Sequence, residues 1–140
     1  MGGTTKDIDL SAIWLFSGCS TRELRLIRKA TEEVDVPAGR VLCKEGATGH
    51  EFFLILDGTA TVERQGRTVA KLGAGQYFGE LALLDRLPRS ASVTSDTAMS
   101  LLVLGQRQFI GVLDAAPSIA RKLLTAMAGR LREADNLAFH

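Results

Sequence analysis

The sequence predicts a mainly β domain whose strands close into a roll or barrel, with helices at both ends. Three observations predict it. Short apolar runs follow one another from Val34 to Gly105, most of them stopped by a glycine turn. Apolar residues at helical spacing are confined to the segments before and after that stretch. The length of 140 residues fits one domain with a real core.

Taken in order, Leu10, Ile13 and Trp14 have the spacing of a short amphipathic helix. Ser20-Thr21-Arg22-Glu23 is a capping box that starts a second helix, with Leu24, Ile27 and Thr31 on its inner face. Strands are expected at Val34–Val36 and Arg40–Lys44, separated by Pro37-Ala38-Gly39, and at Glu51–Leu56, ended by Asp57-Gly58. Thr59–Arg64 alternates, with Ala60 and Val62 on one face, and Gln65-Gly66 is a hairpin signal before Arg67–Leu72. Ala91–Thr94 and Met99–Leu104 complete the set, and a roll of this kind holds about eight antiparallel strands. Helix returns at Gln108–Leu113. Pro117 then opens a longer helix running through Leu123, Leu124, Met127, Leu131 and Ala134. The domain is expected over 9–136, with residues 1–8 as a tail.

The bulk properties exclude several classes. A formal net charge of +1 gives no reason to expect a nucleic-acid or membrane surface. No apolar run approaches the roughly 18 residues of a membrane-crossing helix. Cys19 and Cys43, the two cysteines, have no metal-ligand spacing and read as free thiols of a reducing compartment. With no signal-peptide pattern at the start, a cytoplasmic location is expected. An enzyme is not expected. His50 and His140 are the only histidines, no metal-binding cluster is visible, and no phosphate loop of the G-x-x-x-x-G-K-[ST] kind occurs.

Chemistry concentrates in the longest stretch without clear periodicity, Phe78–Ser90. Gly79 lets backbone approach a ligand closely. Glu80-Leu81-Ala82-Leu83-Leu84 can form one helical turn whose free N–H groups favour an anion. Pro88 stiffens the return, and Arg89 can grip phosphate oxygens with its fork of donors. An ionised Glu80 only accepts hydrogen bonds, so a ribose hydroxyl suits it. The competing reading is a plain Glu80–Arg89 ion pair that closes the loop.

The residues Phe78-Gly79-Glu80-Leu81-Ala82-Leu83-Leu84, Asp85-Arg86-Leu87 and Pro88-Arg89-Ser90-Ala91-Ser92-Val93 resemble the phosphate-binding cassette of the cyclic-nucleotide-binding family. Gly39, Gly46, Gly58 and Gly75 fall at that family's turn glycines. The resemblance implies an antiparallel double-stranded β-roll, jelly-roll-like, with N-terminal helices and a C-terminal lid helix. It implies a regulatory sensor whose ligand is a cyclic nucleotide, cAMP before cGMP, with no metal. Phe78, Gly79, Glu80, Leu81, Ala82, Arg89 and Ser90 would hold sugar and phosphate. Val62, Val69 and Leu72 match base-pocket positions, or else are plain core. Arg130 matches a lid arginine that meets the purine, or else is an exposed helix arginine. Where the family's catabolite activator has a threonine that reads the adenine amine, this chain has Ala134, beside Asp135 and Asn136.

By the same resemblance, ligand binding would close the lid helix while Leu83 and Leu84 repack against the C-terminal helices. Ala120, Leu124, Met127, Leu131 and Ala134 share one helix face, which serves either intramolecular core or a homodimer. No DNA-binding domain is expected within the chain. A second class of function stays open: an interaction domain that keeps the roll and has lost the ligand.

Overall fold

The computed structural model describes residues 9–139, and side chains as far as Ala134. Eight strands form two four-stranded antiparallel sheets: β1 (Glu32–Val36), β8 (Met99–Gly105), β3 (Glu51–Asp57) and β6 (Tyr77–Phe78) in one, and β2 (Val41–Cys43), β7 (Ser92–Ser95), β4 (Ala60–Arg64) and β5 (Arg67–Leu72) in the other. The α-helices among the described residues are α1 (Thr21–Ala30), α2 (Glu80–Asp85), α3 (Gln106–Ala115) and α4 (Pro117–Phe139). This is the double-sheet β-roll with flanking helices.

The sheet containing β3 and β8 separates two cores. Side chains alternate across a strand. Phe53, Ile55, Leu101 and Val103 face the second sheet and form one core with Val36 and Phe78 of their own sheet and Ala60 and Val93 of the other. Phe52, Leu54, Leu102 and Leu104 face the helices, against Ile27, Phe109, Val112 and Leu123. Both strands are therefore apolar at nearly every position, as strands buried on two faces must be. Phe52 stacks on Phe109 and Phe53 on Phe78, each pair with ring centroids 4.8 Å apart. The β4–β5 turn matches its signal: Gln65 and Gly66 have φ of 53° and 78°, the two left-handed residues of a tight hairpin.

The N-terminal segment corrects the expected amphipathic helix. It forms two 3-10 turns, Leu10–Ala12 and Trp14–Phe16. Asp9 caps the first through the Ser11 N–H at 3.0 Å, and Ile13 is extended, so helical phase is lost between them. Leu10, Leu15 and Phe16 are buried, while Trp14 is 51 % exposed with Lys122 over its ring. The capping box of α1 forms as read, but the helix ends at Ala30, with Thr31 as its C-cap. Strand β6, which no periodicity announces, pairs Phe78 with Phe53 and Tyr77 with Leu54.

Leu102 sits on the central strand β8, fully buried between β1 and β3. Leu102→Ala is expected to lower unfolding stability by about 2–5 kcal/mol. Urea denaturation checks this, as a lower midpoint with an unchanged slope.

Candidate functional site

The register of β3 with β6 builds the site. It carries the end of β6 beside the start of β3, so the carbonyls of Gly79 and Glu51 lie together. Arg89 reaches both: Nη1 donates to the Gly79 carbonyl at 2.9 Å and Nη2 to the Glu51 carbonyl at 2.8 Å. Its backbone is pinned too, its N–H donating to the Ala47 carbonyl and its carbonyl accepting from the Gly46 N–H, each at 2.8 Å. Arg89 is only 8 % exposed, yet among the described residues it has no carboxylate partner. The Glu80–Arg89 ion pair offered as the plain reading is not formed.

Gly79 caps α2 with φ of 94°. A Cβ there would come within 2.8 Å of the Glu51 carbonyl and 2.9 Å of Arg89 Nη1, so only glycine lets the chain turn against the guanidinium. Glu80 follows as the first helical residue, 4 % exposed. Its partner is Arg130 on α4, with Nη1 3.4 Å from Oε2. That is longer than the about 2.7–2.9 Å of a tight charge-assisted bond.

These residues open on a cavity of about 680 Å³. Phe78, Gly79, Glu80, Leu81, Ala82, Arg89, Ser90, Val62, Val69, Leu72 and Arg130 all line it. The fold thus brings these eleven residues to one cavity. Val69 is half exposed, because β5 is an edge strand, and so it is cavity wall rather than core. Phe78 belongs mainly to the inter-sheet core, stacked on Phe53. Ala134 also lines the cavity, while the side chains of Asp135 and Asn136 lie outside the described residues. Leu83 packs into the helix-side core with Phe109, Val112 and Leu123, whereas Leu84 is exposed.

Sequence reasoning missed Cys43, Arg64, Tyr77 and Glu133, which also line the cavity. Tyr77 directly precedes the Phe78-Gly79-Glu80 run, which was its available signal. The other three come from separate elements and carried none. Burial raises the Tyr77 hydroxyl above its ordinary range, and the Glu80 charge adds to this, with Arg130 opposing. Burial also pushes the Cys43 thiol from 9.0 up to about 11, against the pull of Arg89 and with smaller pushes from Glu51 and Glu80. Among the described residues no group of three or more side chains could hold a metal, and no helix is long and apolar enough to cross a membrane.

A roll of two antiparallel sheets, with a buried arginine that has no carboxylate partner among the described residues and a short helix beside it, defines the class of domain. The family model "Cyclic nucleotide-binding domain" matches residues 33–116, and the chain belongs to that family. It is 38 % identical over 114 residues to a cyclic nucleotide-gated potassium channel of Rhizobium etli, covering 81 % of this chain and 32 % of that protein. The crystal structure of the Thermus thermophilus catabolite activator protein superposes with a TM-score of 0.82 at 32 % identity, over 89 % of this chain and 61 % of that one. The regulatory domain of Toxoplasma gondii PKA with cAMP aligns with a TM-score of 0.69 at 34 % identity, over 77 % and 43 %. The chain therefore spans less than two thirds of each of these relatives.

The raised Cys43 pKa has a stability consequence. The unfolded thiol ionises near 9.0 and the folded one near 11, so the contribution is complete below pH 9 and is lost as pH rises through that window. The parent is expected to lose on the order of 2 kcal/mol more than Cys43→Ala over that range. Denaturant titrations at successive pH values check this, and parallel curves for the two proteins would contradict it.

Proposed function

We propose that the cavity binds a 3′,5′-cyclic nucleotide, cAMP in preference to cGMP, and that α4 acts as its lid in a regulatory sensor. Arg89 is the observation that carries this reading. Burying a cation without a counter-ion is costly. Two carbonyls orient the guanidinium and leave the rest of its five donors free. A monoanionic cyclic phosphate supplies the missing charge. Glu80 accepts from the ribose 2′-OH, the one free hydroxyl of the ligand's sugar, and Arg130 moves from Glu80 toward the purine. The solved relative with cAMP, at 34 % identity, supports the choice of ligand.

The lid mechanism follows from Leu83. It shares a core with α3 and with Leu123 of α4, so a shift of α2 on the phosphate is felt by the lid. The ligand drives closure only through its differential affinity for the two states. The cAMP preference rests on the apolar Val62, Val69 and Leu72 walls, which offer no hydrogen-bond partner of their own to guanine's extra amine and carbonyl. The domain is proposed to comprise 9–136 and to work in the cytoplasm.

The exposed stripe of α4, Leu124 and Leu131, is proposed to pair with a second copy. The two are seven residues apart and share a face. Met127 instead packs on the helix-side core, which splits the face read from the sequence.

Three outcomes are expected. Arg89→Ala should weaken cAMP binding by about 2–5 kcal/mol in calorimetry, and Arg89→Lys should also weaken it because the planar fork is lost. Parent-like affinity would remove Arg89 from the site. In competition against labelled cAMP, both 2′-deoxy-cAMP and cGMP should displace less well than cAMP, by about 1–3 kcal/mol for each unpaired polar group. Equal displacement by the deoxy analogue would take Glu80 off the sugar, and stronger displacement by cGMP would reverse the preference. Light scattering should show a dimer that Leu124→Glu converts to monomer; a parent that is monomeric with and without ligand would rule the pairing out.

A further inference from the structure

We propose that a second cavity, on the far side of α2 from the nucleotide site, is a docking groove for an acidic peptide segment of a partner protein. The groove has a volume of about 610 Å³ and lies between the β2–β3 loop, the return after α2, and α3. Its wall carries the two cations Arg86 and Arg107, with the His50 ring beside them. Among the described residues no carboxylate lines it. Among the described residues neither arginine has an ion-pair or hydrogen-bond partner. Beside them Leu87 is 61 % exposed and Ile110 39 % exposed.

Each feature constrains the occupant. The two arginines come from different elements. Arg86 ends α2 in the left-handed conformation, with φ of 60°, and Arg107 lies in the first turn of α3. Their placement is therefore set by the fold rather than by one flexible segment. Lone exposed arginines are well solvated and contribute little. Arginines next to apolar surface that a partner can dry are the ones that anchor interfaces. Carboxylates flanking an apolar side chain complement two cations flanking Leu87 and Ile110. Two arginines in a bounded hollow give no extended basic track, so a nucleic-acid backbone is a poor match.

The groove is joined to the nucleotide site by a thin wall. Ala82 lines both cavities. Gly49 lines the groove, and a Cβ on it would stand 2.6 Å from Arg89 Nε and 2.8 Å from the Ala82 Cβ. An occupant of the groove therefore touches Gly49 and Ala82, which stand directly against the Arg89 side chain. Coupling between the two sites, which rests on the cyclic-nucleotide reading above, is reciprocal.

The test is fluorescence anisotropy on the full chain with a fluorescein-labelled peptide of repeated Glu-Glu-Leu units, and a Lys-Lys-Leu peptide as control. Binding of the acidic peptide alone is expected. Arg107→Glu and Arg86→Gln should each weaken it about tenfold, or ~1.4 kcal/mol. Arg107→Glu should leave the cAMP titration as in the parent. Saturating cAMP should shift the peptide affinity by about fivefold or more in one direction. Absence of peptide binding, equal binding of the basic peptide, or variants that bind like the parent would overturn the docking site. So would displacement by inorganic pyrophosphate at concentrations no higher than unlabelled peptide, which would make the groove a small-anion site. Peptide binding that cAMP binds alongside without altering would overturn the coupling alone. A chain that binds peptide but no cAMP would retire the nucleotide reading and leave the groove standing.

Discussion

Burial of β3 on both faces is the constraint on which the site depends. Phe53 and Ile55 lock the strand to the second sheet while Phe52 and Leu54 lock it to the helices, so it can neither slide nor tilt without opening a core. Strand β6 pairs with it over two residues only, yet the stacked Phe53 and Phe78 rings hold that short ladder in place. Because β6 is held there, Gly79 arrives beside Glu51, and their two carbonyls make a seat for one guanidinium. A slip of one residue would turn Phe78 out of the core and scatter both acceptors.

The electrostatics of the site are built from an imbalance. The interior contains a cation without its anion and a carboxylate whose partner stands at the cavity rim on another helix. Arg89 is held by neutral carbonyls, which orient it but do not neutralise it. Glu80 is held by Arg130, a more exposed side chain at a stretched 3.4 Å. Neither arrangement is the best pairing the two charges could find, since they do not pair with each other. The fold keeps them apart by giving each a different anchor, Arg89 on the Glu51 and Gly79 carbonyls and Glu80 on Arg130 of α4. The cation and the carboxylate thus face one cavity from different anchors. The same short helix carries Ala82 and Arg86 toward a second hollow, so α2 is a partition between two surfaces and not only one wall of a pocket.

Some elements were readable because their causes are local. Glycine at 66 and a short polar run set the β4–β5 hairpin, Ser20 and Glu23 set the start of α1, and Pro117 sets the start of α4. Others were not, because no local cause exists. Tyr77-Phe78 is too short to show alternation, and it is a strand only because β3 offers an edge. Leu10, Ile13 and Trp14 have helical spacing, but an extended Ile13 divides the segment, and the helix-side core takes Leu15 and Phe16 beside Leu10 while Trp14 stays exposed. On α4 the apolar residues cover more than one face, and spacing alone does not say which face the core takes.

By itself the sequence determined the strand-rich middle, its turns, and the run from Phe78 to Val93 that carries the site chemistry, since residue type and spacing act over a few positions. Tertiary structure decided which partners those residues meet. Arg89 pairs with carbonyls from chain positions 79 and 51, and Glu80 with an arginine fifty residues further on, at 130. Such pairings depend on sheet order and helix packing, which bring distant segments within hydrogen-bond reach, and no short window of sequence contains both ends of them.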